Sequence, residues 1–151
     1  MRPSTPSPAD AEANRERAVD APSGQPAPLV LLIDDAPEIV DVLVELLRTV
    51  GYEVVTAGDG FAGLAAMRAR RPDVVLLDHN MPRMPGLEVV RAMRDDEALA
   101  TIPVILITAS PKSVPPEPAP MVRVVPKPFD FDRLFEILQQ TVAAGRAPVS
   151  G

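Results

Sequence analysis

Five polar residues stand at the ends of apolar runs, and together they could hold a hard cation. Asp34 and Asp35 follow Leu29–Ile33 (LVLLI). Asp78 follows residues 74–77 (VVLL), and Thr108 follows residues 103–107 (PVILI). Lys127 follows residues 122–125 (VRVV), with only Pro126 between. Three carboxylates brought close together repel, which raises at least one pKa. A bound cation removes that repulsion. Oxygen ligands without thiolate or imidazole point to Mg²⁺, with water filling the remaining positions. The alternative is that Asp34 or Asp35 only caps the helix beginning near Pro37. Capping explains one such residue more easily than a whole set at one edge.

Composition removes several other chemistries. The chain has 151 residues and no cysteine, which excludes a disulfide framework, a thiolate zinc site and cysteine catalysis. A single histidine excludes a multi-histidine metal centre. The net charge of −6 argues against non-specific binding to nucleic acid or anionic membranes. No apolar run approaches the ~18–20 residues of a membrane span. The N-terminus lacks the apolar core of a signal peptide, so the expected compartment is the cytoplasm.

The elements that position these residues alternate. Leu29–Ile33 is a short continuous apolar run, as in a strand buried on both faces. Ile39, Val42, Leu43, Leu46, Leu47 and Val50 then recur with helical spacing, with Pro37 in the first turn and Gly51 at the C′ position. Residues 52–57 predict a second strand, and Phe61, Leu64, Ala65 and Arg68 a second helix. Residues 74–77 predict the third strand, and Leu87, Val90 and Met93 a short third helix. Residues 103–107 and 122–125 predict strands four and five. Phe131, Leu134, Phe135, Leu138 and Val142 predict a last helix, with Asp130 as its N-cap. Such alternation predicts a parallel sheet covered by helices on both faces. In open sheets of this kind ligands sit outside the carboxyl ends of the strands, where the five polar residues fall.

Proline divides the chain. Of 19 prolines, six lie in residues 1–28 and five in residues 111–120. Residues 1–28 read as a disordered Pro/Ala-rich tail with too little apolar surface to offset ordering entropy. Residues 145–151 read as a loose C-terminus, leaving 29–144 as the folded domain. Between strands four and five an interior proline costs a helix about 3 kcal/mol, so residues 110–121 predict a proline-rich loop in place of a helix.

With these features in hand, the chain resembles a response-regulator receiver domain of two-component signalling. Asp34-Asp35, LLDHNMP with Gly86 beyond, Thr108-Ala109 and Lys127-Pro128-Phe129 carry the resemblance, which spans roughly residues 29–144. The separations agree as well: 43 residues from Asp35 to Asp78 and 30 from Asp78 to Thr108. The resemblance implies a flavodoxin-like α/β fold with a doubly wound five-stranded sheet in the order 2-1-3-4-5. It implies that Asp78 is the phosphoacceptor, with Thr108 and Lys127 binding phosphoryl oxygens. It implies Mg²⁺ held by Asp35, Asp78 and the Asn80 backbone carbonyl, with Asp34 acting mainly through water. It further implies that Asn80 and Ser110 tune the phosphoryl lifetime, and that a cis peptide precedes Pro128.

The implied function is a stand-alone receiver. It would take its phosphoryl group from a histidine kinase or a phosphotransfer protein and signal through a downstream protein. It would catalyse only its own phosphorylation and dephosphorylation. Two departures from the family bear on this. Val124 occupies the position of a switching aromatic, and the helix before strand five is replaced. They support an alternative, a pseudo-receiver used as a phosphorylation-independent docking module. His79, next to Asp78, reads as an exposed and incidental side chain.

Overall fold

A computed structural model of the chain describes residues 26–114 and 121–146. The expected N-terminal tail lies outside the described residues apart from residues 26–28, and the expected loose end apart from 145 and 146. In chain order the elements are β1 (Leu29–Ile33), α1 (Pro37–Thr49), β2 (Glu53–Ala57), α2 (Gly60–Ala69) and β3 (Val74–Asp78). Then come α3 (Gly86–Arg94), β4 (Val104–Thr108), β5 (Val122–Pro126) and α4 (Phe131–Arg146). The strands form one parallel sheet in the order β2-β1-β3-β4-β5. This is the doubly wound flavodoxin-like arrangement.

The apolar runs become central strands because both faces of the sheet are covered. Every residue of β1, β3 and β4 is buried. Alternate side chains point to opposite faces. Val30, Leu32, Leu76 and Ile105 pack with Leu43 and Leu47 of α1 and Leu134 and Leu138 of α4. Leu31, Ile33, Leu77 and Leu106 pack with Leu64 and Met67 of α2 and Val90 and Met93 of α3.

Local signals set the helix ends. Pro37 opens α1, where its missing N–H costs nothing. At the other end Gly51 has φ 101°, and its N–H donates to the Arg48 carbonyl at 3.1 Å. The Tyr52 N–H donates to the Leu47 carbonyl at 3.0 Å, completing a Schellman motif. Tyr52 therefore closes the helix, and β2 begins one residue later than the apolar pattern predicts. Asp59 caps α2 by accepting the Ala62 N–H at 2.8 Å. Asp130 accepts the Asp132 N–H at 3.0 Å at the start of α4, as expected of an N-cap.

Between β4 and β5 the described residues hold a single 3₁₀ turn, Pro111–Ser113. Val114 behind it is buried among Val104, Leu106 and Val122, with half-buried Val124 against the same cluster. The rest of the proline-rich stretch, residues 115–120, lies outside the described residues. Among the described residues no helix is long and apolar enough to cross a membrane.

Candidate functional site

The carboxyl edge of the sheet gathers the strand-end residues. The backbone ladder carries β3 through Asp78 and β4 through Thr108, one residue beyond each apolar run. The His79 N–H donates to the Ile107 carbonyl and the Lys127 N–H to the Thr108 carbonyl, both at 2.8 Å. These bonds bring the three strand ends side by side.

Carboxylate oxygens of Asp34, Asp35 and Asp78 all lie within 4.8 Å of one another. Asp34 and Asp78 are buried and Asp35 is exposed. The Lys127 ammonium reaches Asp78 Oδ1 at 3.2 Å, and the Asn80 N–H donates to the same oxygen at 3.1 Å. Asp34 has two structural roles. Its Oδ1 accepts the Ala36 N–H at 2.9 Å, so it closes the turn that leads into α1 as well as joining the cluster, while α1 itself has no side-chain cap. Burial pushes its carboxyl above the ordinary value, opposed by the Ala36 N–H, while the charge of nearby Asp78 adds to the rise. Three carboxylates thus gather at one edge, with one ammonium on Asp78. That donor set fits a hard divalent cation such as Mg²⁺.

Thr108 is fully buried. Its hydroxyl donates to Asn80 Oδ1 at 3.3 Å and accepts the Ser110 N–H at 2.8 Å. Asn80 Oδ1 also accepts the Ala109 N–H at 2.8 Å. The Asn80 side chain therefore ties the end of β3 to the end of β4, a contact that strand-end reading did not anticipate. The Lys127-Pro128 peptide is cis.

His79 differs from expectation. It is half-buried, and its Nδ1 accepts the Leu87 N–H at 3.3 Å in the first turn of α3. Pro85 at the N-cap of α3 makes no side-chain capping bond, so the imidazole takes that part. The His79 carbonyl also accepts the N–H groups of Met81 and Gly86. The proline and glycine of MPRMPG were the available signal: a helix starting behind Pro85 needs its cap from elsewhere.

Comparison with known families decides what this edge belongs to. A family model described as "Response regulator receiver domain" matches residues 30–139. The chain belongs to the response-regulator receiver family. The receiver is 43% identical over 86 residues to the probable transcriptional regulatory protein TcrX of Mycobacterium tuberculosis, covering 57% of this chain and 36% of that one. It is 38% identical over 85 residues to the DNA-binding response regulator MtrA of Mycolicibacterium smegmatis, covering 56% of this chain and 36% of that one. The chain thus spans about a third of the length of these relatives. Among solved structures, chemotaxis protein CheY4 of Vibrio cholerae superposes with TM-score 0.69 at 32% identity, covering 76% of this chain and 98% of that one. The receiver domain of sensor histidine kinase PA1611 of Pseudomonas aeruginosa has TM-score 0.70 and 28% identity, covering 78% and 98%. That structure carries a magnesium ion in its active-site cleft. In this receiver Asp34, Asp35, Asp78, Thr108 and Lys127 share one edge, as read from sequence. Val124 lies on β5, three residues before Lys127.

Proposed function

We propose that this receiver accepts a phosphoryl group on Asp78 from a histidine kinase or phosphotransfer protein and passes the signal on by protein–protein contact. The observation that carries the reading is the Asp78 carboxylate itself. It is buried, lies within 4.8 Å of two other carboxylates and holds the Lys127 ammonium on Oδ1. Oδ2 has no hydrogen-bond partner among the described residues, which leaves it as the attacking oxygen. Attack on phosphorus forms an acyl phosphate P–O bond. The P–N bond to a donor histidine breaks, and the departing imidazole keeps the electron pair and takes up a proton.

Asp35, Asp78 and the Asn80 backbone carbonyl would hold Mg²⁺, with Asp34 acting through water. Bound Mg²⁺ offsets the charge on the transferring phosphoryl group. The receiver domain of PA1611 with its magnesium ion, and TrrA of Thermotoga maritima in complex with Mg²⁺ and beryllium fluoride, support this role. Lys127 supplies a compact charge to one phosphoryl oxygen. Thr108 supplies a hydroxyl to another. Asn80 and Ser110 are small polar residues beside the reaction path and leave room for an attacking water, so the phosphoryl lifetime is of ordinary length.

The test is incubation with a small phosphodonor and Mg²⁺, followed by intact mass. One phosphoryl adduct that disappears in Asp78→Ala is the expected result. Absence of any adduct would favour a docking module that works without phosphorylation, the use to which the Val124 position and the altered β4–β5 connection would then belong.

A further inference from the structure

We infer that the Asn80 carboxamide is a positioning residue that holds the Thr108 hydroxyl in the resting receiver and opposes its transfer to a phosphoryl group on Asp78. The inference rests on the assignment of Asp78 as phosphoacceptor. Asn80 Oδ1 is fixed first by the Ala109 N–H at 2.8 Å, so the acceptor stands in place whatever Thr108 does. The Thr108 hydroxyl then donates to it at 3.3 Å. That hydroxyl has one proton and therefore one strong donation to make. Its oxygen is occupied from the other side by the Ser110 N–H at 2.8 Å.

Thr108 is also close to the place where a phosphoryl group would arrive. Asp78 pairs with Ile107 in the β3–β4 register, which puts Thr108 one residue further along the neighbouring strand. A phosphoryl group on Asp78 brings several charged oxygens needing donors, and Lys127 is already on the carboxylate. The Thr108 proton can go to Asn80 or to a phosphoryl oxygen, but not to both. The Asn80 contact exists only in the resting arrangement. An interaction confined to one of two states shifts their balance by its own differential free energy. One ordinary hydrogen bond corresponds to roughly three- to tenfold in an equilibrium constant. Asn80 is exposed, so truncating its side chain opens no core cavity, and its backbone carbonyl stays in place.

The experiment titrates beryllofluoride with saturating Mg²⁺ into the full chain by calorimetry, for wild type, Asn80→Ala, Thr108→Val and the double variant. Asn80→Ala is expected to bind about three- to tenfold more tightly than wild type. The gain is expected to vanish when the same change is made in Thr108→Val, which has no proton to release. Thr108→Ala serves for that arm if the valine is not accommodated. Equal or weaker binding by Asn80→Ala overturns the inference, and so does an undiminished gain without the Thr108 hydroxyl. A wild-type chain that takes up no beryllofluoride instead overturns the phosphoacceptor assignment, and the inference with it.

Discussion

The Lys127 ammonium sits 3.2 Å from Asp78 Oδ1 across 49 residues of sequence, and it is the cation that lets three carboxylates share one edge. The Asp78 side chain is 6% exposed and the Lys127 side chain 31%. The pair is thus buried on one side and wet on the other. Removing the ammonium leaves a buried carboxylate uncompensated, whereas removing the charge of Asp78 relieves repulsion. In Mg²⁺-free buffer Lys127→Ala is expected to lose about 1–2 kcal/mol, below the full cost of breaking a buried pair because Lys127 is partly solvated. Asp78→Asn is expected to gain up to about 1 kcal/mol, as when a functional charge is relaxed. Urea unfolding measures both. Two variants shifting in the same direction would contradict this account of the cluster.

Cation binding at the same edge should appear as stability. A ligand bound only by the folded state stabilises it by about 2.7 kcal/mol at one hundred times its dissociation constant. Thermal unfolding of the wild type is therefore expected to move upward with added Mg²⁺ and to return with chelator. Asp35 is exposed, so Asp35→Ala should leave the metal-free transition nearly unchanged while removing most of the Mg²⁺ response. A response that survives in Asp35→Ala would place the cation elsewhere.

Gly86 lies close against the backbone at the end of β3. A Cβ there would stand 3.0 Å from the Asp78 carbonyl oxygen and 2.8 Å from His79 Cα. Both are backbone atoms and cannot swing aside. Gly86→Ala is expected to cost about 1–3 kcal/mol through displaced backbone. It should also slow phosphoryl uptake, because the displaced segment carries Asp78 and Asn80. Urea unfolding and the adduct assay together check this; wild-type stability in Gly86→Ala would mean that the loop yields without strain.

The placement of the strand-end residues was legible in sequence for a physical reason. A doubly wound sheet buries both faces of its central strands, so they appear as unbroken apolar runs. The first polar residue after each run lies at the carboxyl edge. Asp34, Asp78 and Thr108 were found in that way, and Lys127 followed after one proline. Boundaries were less legible. Asp78, Thr108 and Pro126 fall inside β3, β4 and β5 because the neighbouring strand supplies ladder bonds, and pairing partners are not visible along the chain. Side-chain contacts across elements were not legible either. Nothing local to Asn80 announces that its oxygen meets Thr108 and Ala109, 28 and 29 residues away. Val114 reads as one apolar residue in a proline-rich loop, yet it is buried against β4 and β5.

His79 is the residue whose reading changed most, and its role can be measured directly. With Pro85 at the N-cap, the Leu87 N–H finds its acceptor in His79 Nδ1. Loss of a side-chain cap costs about 0.5–2 kcal/mol. The 3.3 Å contact places His79→Ala in the lower half of that range, about 1 kcal/mol by urea unfolding. His79→Asn offers a carboxamide oxygen at a similar reach and should recover part of the loss. Because α3 packs Val89, Val90 and Met93 into the core, the helix itself should persist in both variants. The change should be concentrated in amide exchange at Leu87, faster in His79→Ala and partly protected again in His79→Asn. If exchange at Leu87 is the same in all three chains, the imidazole is not the cap, and the order of the loop after β3 must come from the His79 backbone bonds to Met81 and Gly86 alone.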